Sequence, residues 1–233
     1  MLTIANRLQH ARNTIGSTAR NAGRDPNHIT LLAVSKTKPI SDIKEAFQAG
    51  QRCFGENYVQ EGVEKIQALS DLSSIQWHFI GPLQSNKTRV VAEHFAWVQS
   101  LDRLKIAQRL NEQRPHNLPA LQVCIQVNIS EEESKAGIVS EQVSAFAAQI
   151  AALPRLCLRG LMAIPAATQD QQTQADAFAK MSALFHQLQQ RYNRVDTLSM
   201  GMSGDLQPAI HAGSTMVRIG TAIFGEREKK AQP

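Results

Sequence analysis

The run Leu31-Leu32-Ala33-Val34-Ser35-Lys36-Thr37-Lys38-Pro39 puts a lysine at the end of an apolar, strand-like stretch. Alternate side chains of a strand share a face, so Leu32, Val34 and Lys36 point together. If that face turns into a core, the stem of Lys36 lies in apolar packing and its amine is partly desolvated. Desolvation disfavours the ammonium and leaves more neutral amine, the form that attacks an aldehyde carbon. A lysine that merely extends from apolar packing into water is the competing reading. Lys38 keeps the same alternation but lies past the strand and before a proline, which makes it the weaker candidate.

Two other stretches could hold an anion. Ser199-Met200-Gly201-Met202-Ser203-Gly204-Asp205 combines two glycines, which allow close backbone approach, with the Ser203 hydroxyl. A helical pattern from Leu206 would aim backbone N–H groups at the same place. Val217-Arg218-Ile219-Gly220-Thr221 again sets a glycine beside a hydroxyl residue. Gly-Ser turns are common, so each stretch alone carries little weight. Arg218 says more, because a guanidinium inside an apolar strand needs a partner. That partner is either an internal carboxylate or a ligand heteroatom, for which a cofactor's pyridine nitrogen would suit. Asn57 and His78, at the ends of two further strand-like runs, could line the same pocket or satisfy buried backbone groups.

The elements that must position these residues recur as strand, loop and amphipathic helix. Strand-like runs fall at Ile29–Ser35, Arg52–Gly55, Gln76–Gly81, Trp97–Ser100, Leu121–Ile129, Leu156–Met162, Thr197–Met200 and Met216–Gly220. Helical patterns near 41–49, 58–70, 86–94, 102–113, 140–152, 168–191 and 206–212 separate them. Eight strands alternating with helices predict an α/β fold, a single (β/α)8 TIM-type barrel over residues 1–233. A doubly wound open sheet is the competing topology, but its GxGxxG fingerprint is absent. An additional N-terminal helix is expected within residues 1–24, with Ile4, Leu8, Ala11 and Ile15 on one face. The basic, acid-free character of that segment also resembles an organellar transit peptide, but it runs directly into a strand. Residues 226–233 read as a charged, frayed tail. In a barrel, function sits at the C-terminal strand ends and phosphate binds after strands 7 and 8, which is where the two glycine stretches fall.

Composition narrows the function classes. A net charge of +5 raises nucleic acid as a partner, but the basic residues are dispersed and stacking aromatics are few, so none is expected. No apolar run approaches the ~20 residues that cross a bilayer, so no membrane partner is expected either. Cys53, Cys124 and Cys157 form no CxxC pair and read as buried reduced thiols of a cytoplasmic protein, with no metal site.

Together these stretches resemble the pyridoxal phosphate homeostasis protein family, single-domain relatives of the alanine racemase barrel. The resemblance is carried by Leu32–Pro39, Phe54-Gly55-Glu56-Asn57-Tyr58-Val59-Gln60-Glu61, Trp77–Lys87, Gly160–Pro165, Leu198–Ser203 and Val217–Gly225, in order along nearly the whole chain. It implies a fold-type III barrel binding pyridoxal 5′-phosphate (PLP) as a Schiff base on Lys36. It further implies phosphate held around Ser203, Gly220 and Thr221, Arg218 at the pyridine nitrogen, and Asn57 near the ring. His78 and Met200 complete the expected cofactor-binding set. No catalytic residue is expected. Racemisation works best with an acid/base on each face of the substrate, and the only tyrosines are Tyr58 and Tyr192. The chain stops soon after its eighth strand-like run, so no second domain is expected, and a monomer is. The expectation is therefore a carrier that buffers PLP and passes it to PLP-dependent apo-enzymes. A weak racemase-like enzyme is the alternative. Lys135, in Ser134-Lys135-Ala136-Gly137, is a candidate second amine or lid contact.

Overall fold

A computed structural model describes residues 2–130, 132, 136–165, 168 and 170–226. Eight strands form one closed, all-parallel barrel in sequence order: β1 Thr30–Val34, β2 Cys53–Glu56, β3 Gln76–Phe79, β4 Trp97–Leu101, β5 Leu121–Val127, β6 Leu156–Ala163, β7 Thr197–Ser199 and β8 Met216–Ile219. The helices are α1 Ile4–Asn21, α2 Ile40–Gln48, α3 Val59–Ala68, α4 Thr88–His94, α5 Leu104–Gln113, α6 Val143–Ala151, α7 Gln171–Gln189, α8 Leu206–His211 and α9 Thr221–Phe224. Closure pairs β1 with β8 in the register Leu32↔Arg218 and Ala33↔Ile219, which excludes the open sheet. The strands begin and end close to where the sequence placed them, usually within two residues.

Alternation divides the apolar residues between two layers. Ala33, Phe54, Phe79, Val98 and Val217 point outward and meet the helices in the main core. Leu32, Ile80 and Met216, with Val34 packed on them, fill the barrel interior, as do Trp97, Cys124 and Met162 elsewhere along it. α1 is capped by Thr3, whose hydroxyl accepts the Asn6 N–H, and by Glu45, whose carboxylate accepts the Ile4 N–H at 2.9 Å. Its face of Ile4, Leu8, Ala11 and Ile15 is buried, and the helix packs on α2, α8 and α9. Burial of a side chain such as Leu8 contributes about 1.5–3 kcal/mol, enough to seat this leading helix on the barrel.

The cysteines are unbridged, as expected, but only Cys124 and Cys157 are buried. Cys53 is half-exposed because it starts β2, where the interior opens at the N-terminal end. Among the described residues no helix is long and apolar enough to cross a membrane, and no cluster of metal-binding side chains occurs.

Candidate functional site

Lys36 lies two residues beyond β1, half-buried, in the turn that follows the inward-packed Leu32 and Val34. Thr37 takes a left-handed φ of 63°, unusual for a β-branched residue, so the turn must be held from outside. A buried charge cluster from β2 and α3 holds it. Lys65 Nζ donates to the Ser35 carbonyl (2.7 Å), to Glu56 (2.9 Å) and to Glu61 (2.6 Å). Glu56 also accepts the Ser35 hydroxyl at 2.5 Å, and Glu61 accepts the Thr37 N–H at 2.5 Å. Burial pushes the Glu56 carboxyl above its ordinary range, opposed by Lys65 and Ser35. Lys38 is turned to the outer groove between α2 and α3, where its ammonium donates to the Glu226 carbonyl. The turn thus directs Lys38 away, while Lys36 adjoins the end of β1.

The end of β8 meets this turn, and β7 lies beside β8. Gly220 approaches Val34 so closely that a Cβ on it would lie 3.2 Å from the Val34 carbonyl. Thr221 follows, exposed, as the first residue of α9, whose leading N–H groups have no intrahelical acceptor. Gly201 has φ +98°, which only glycine adopts easily, and its carbonyl accepts the Arg218 N–H at 2.9 Å. The exposed turn Ser203–Gly204 lies just beyond, and its two amides make no hydrogen bond among the described residues. Asn57, at the end of β2, has a buried Oδ1 without a hydrogen-bond partner. Its backbone is fixed by Gly81, where a Cβ would stand 2.1 Å from the Asn57 carbonyl.

Arg218 points into the barrel and is 4% exposed. Nη1 donates to the Ser199 carbonyl (2.8 Å) and hydroxyl (2.9 Å), and Nη2 donates to the Ala163 carbonyl (2.8 Å). Burial lowers its pKa to about 10, with Asp205 opposing, so it remains a cation at neutral pH. Of the two partners considered for it from the sequence, the internal carboxylate is absent among the described ion pairs.

Two residues expected at the cofactor have side chains directed differently from the rest. His78 is fully buried inside the barrel with its ring stacked on Trp97, 4.8 Å between centroids. It borders an open hollow of about 920 Å³ at the N-terminal strand ends, walled by Gln76, Trp97, Gln122 and Arg159. Burial, aided by Arg159, lowers its pKa to about 3. Position 78 is inward-facing but too early in β3 to reach the mouth. Met200 follows β7 with its side chain outward in the main core. Lys135 and nearly all of the tail lie outside the described residues.

The chain matches the family model "Alanine racemase, N-terminal domain" over residues 8–228. A relative from Pasteurella multocida, named pyridoxal phosphate homeostasis protein, is 58% identical over 230 residues, covering 97% of this chain and 99% of its own. The chain belongs to the pyridoxal phosphate homeostasis protein family. Among solved structures, PipY of Synechococcus elongatus is similar both without PLP (TM-score 0.85) and with PLP bound (TM-score 0.81), at 38% identity, covering 96% of this chain and all of that one. Alanine racemase from Corynebacterium glutamicum shares the fold at 16% identity and a TM-score of 0.66, with 97% of this chain and 63% of that chain covered. Membership of the pyridoxal phosphate homeostasis protein family agrees with the resemblance carried by the sequence motifs.

Sequence reading missed the supports of this site: Lys65 beneath the Lys36 turn, and Ser199 and Gln99 beside Arg218. The spacing of Glu61 and Lys65, i and i+4 on a helix, was the available signal for the first. Gln99 had none, because its partners come from β3, β7 and β8.

Proposed function

We propose that this chain binds PLP at the barrel mouth as a Schiff base on Lys36 and holds it for release rather than turnover. The observation that carries the reading is Arg218, a buried cation whose protein partners are carbonyls and one hydroxyl. Such a charge favours a further acceptor, and a heteroaromatic ring nitrogen supplies one. The other residues fit the rest of the molecule. The Lys36 amine faces the aldehyde, while the hydroxyls and amides of Ser203, Gly220 and Thr221 surround the phosphate, and Asn57 lies by the ring. The binding set therefore narrows to Lys36, Asn57, Ser203, Arg218, Gly220 and Thr221. The names of the relatives and the PLP-bound PipY structure support the same cofactor.

When bound, the cofactor supplies an aldehyde that exchanges amine partners and a ring able to withdraw electrons. Arg218 stays protonated, so it donates to the ring nitrogen without protonating it, and this weakens electron withdrawal. Of the tyrosines, Tyr192 packs on the outer core and Tyr58 is exposed. These features support carriage and buffering of PLP as the proposed role, and delivery to PLP-dependent apo-enzymes by a monomer is part of the same proposal. Three unbridged cysteines fit a reducing, cytoplasmic compartment. A weak amino-acid racemase is the second reading, favoured by the family model.

The test is direct. The purified protein should be yellow, and borohydride should fix one cofactor mass on the peptide carrying Lys36. A preparation that stays colourless with added PLP defeats the proposal. Solvent deuterium entering the α-carbon of alanine at enzyme-like rates would favour the racemase instead.

A further inference from the structure

We propose that Ser199, Gln99 and His78 form a buried positioning chain that fixes how Arg218 faces the barrel mouth, an inference that rests on the PLP binding proposed above. The four residues come from β8, β7, β4 and β3 and cross the barrel interior, with the last three fully buried. Arg218 Nη1 donates to Ser199 Oγ at 2.9 Å, Ser199 Oγ lies 2.6 Å from Gln99 Oε1, and Gln99 Nε2 lies 2.9 Å from His78 Nδ1.

The hydrogen bonds run in one direction. A guanidinium is donor-only, so Ser199 Oγ accepts from it; the Ser199 hydroxyl donates to Gln99 Oε1, and Gln99 Nε2 donates to Met216 Sδ at 3.1 Å as well as facing His78. That assigns the Gln99 carbonyl to Ser199 and the amide N–H to His78. His78 Nδ1 then has to accept, which makes the ring neutral with its proton on Nε2. The depressed pKa of His78 agrees with this assignment. Turning Gln99 over would set its carbonyl against Met216 Sδ and take the acceptor from the Ser199 hydroxyl, whereas this direction leaves only the His78 Nε2–H without a protein partner among the four residues' linking groups.

Arg218 is consequently pinned through both hydrogens of Nη1, and Ala163 takes one from Nη2. Its Nε–H has no acceptor among the described residues and, with the second Nη2–H, remains for a ligand. Packing alone does not call for this arrangement, because apolar residues of similar volume would fill the barrel at least as stably. What the polar chain adds is a single orientation for the guanidinium proposed to face the cofactor ring. Ser199, Gln99 and His78 are positioning residues.

The test uses the full chain with Gln99→Met, which keeps the volume and removes the link. The thermal midpoint should fall, because Ser199 Oγ and His78 Nδ1 lose their shared partner, and the phosphate readout shows whether the mouth stays intact. Affinity for PLP should fall about tenfold, the loss expected for one misdirected charge-assisted hydrogen bond. The absorbance maximum of bound PLP should also move. Affinity for inorganic phosphate, read by 31P NMR, should not change, because phosphate does not use Arg218. Ser199→Ala should behave likewise, and Ser199→Thr, which keeps the hydroxyl, should recover most of the affinity. Wild-type PLP affinity and spectrum in Gln99→Met overturn the inference, and so does an equal loss of phosphate affinity.

Should Gln99→Met not fold, 15N NMR of histidine-labelled wild-type protein without ligand decides the matter. Protonated Nε2 and bare Nδ1 at His78 support the chain, whereas the other tautomer or an imidazolium at pH 7 overturns it. Failure of borohydride to label Lys36 in wild type would strike the binding proposal alone and leave this readout standing.

Discussion

The Lys65 ammonium lies 2.7 Å from the carbonyl oxygen of Ser35, the residue immediately before Lys36. A helix residue from α3 therefore sets the backbone position of the proposed nucleophile, through a cluster in which Lys65 is 4% exposed and Glu56 is fully buried. Replacing Lys65 by Met should cost about 3–5 kcal/mol, the usual penalty for leaving a buried charge without its partner. Glu56 can relieve part of that penalty by taking a proton, since burial already raises its pKa. The deficit relative to wild type should therefore shrink as the pH falls, and the double change Glu56→Gln with Lys65→Met should recover stability. Urea midpoints at two pH values check both statements.

The phosphate loops predict a separation of ligand groups. Ser203→Ala with Thr221→Val should weaken PLP by on the order of tenfold, the scale of one or two hydrogen bonds to an anion. Pyridoxal, which lacks the phosphate, should bind the variant as it binds wild type. Equal losses for the two ligands in an absorbance titration would remove Ser203 and Thr221 from phosphate binding.

His78 predicts an acid limb in stability. Its folded pKa of about 3 lies below the ordinary histidine value of 6.5, so between those values the unfolded chain binds the extra proton. Stability from this group is present above pH 6.5 and declines as the pH falls toward 3. His78→Phe removes the titration. The stability gap between wild type and variant should therefore narrow from pH 7 to pH 4, as read from thermal midpoints. A constant gap would contradict a buried, neutral His78.

Gly81 predicts a steric limit. An added methyl would stand 2.1 Å from the Asn57 carbonyl, a backbone atom that can move only with the end of β2. Gly81→Ala should cost about 1–3 kcal/mol, as overpacking does, and should also loosen PLP by displacing Asn57. Gly204→Ala, where a methyl meets nothing within 4 Å, is the matched control and should be neutral in the same denaturant assay.

Much of this was legible before any coordinates. The period-2 runs placed all eight strands, because a barrel strand packed on both faces needs an apolar, β-branched stretch of limited length. The apolar stripe of α1 and the glycine–hydroxyl pairs after β7 and β8 were equally local signals. His78 and Met200 show what is not legible: alternation tells which residues share a face, but not which face is inward or how deep a position lies. Met200 falls on the outward face, and His78 on the inward face near the far end of the barrel.

The sequence by itself determined the strand-and-helix rhythm and the family motifs, since each is written in neighbouring residues. Tertiary structure alone decided that Lys65 braces the Lys36 turn and that Arg218 meets Ser199 and, through it, Gln99 and His78. Gln99 and Ser199 are 100 positions apart and touch only because the barrel closes. Hydrogen bonds act over about 3 Å of space, and closure, not sequence order, brings such groups within that distance.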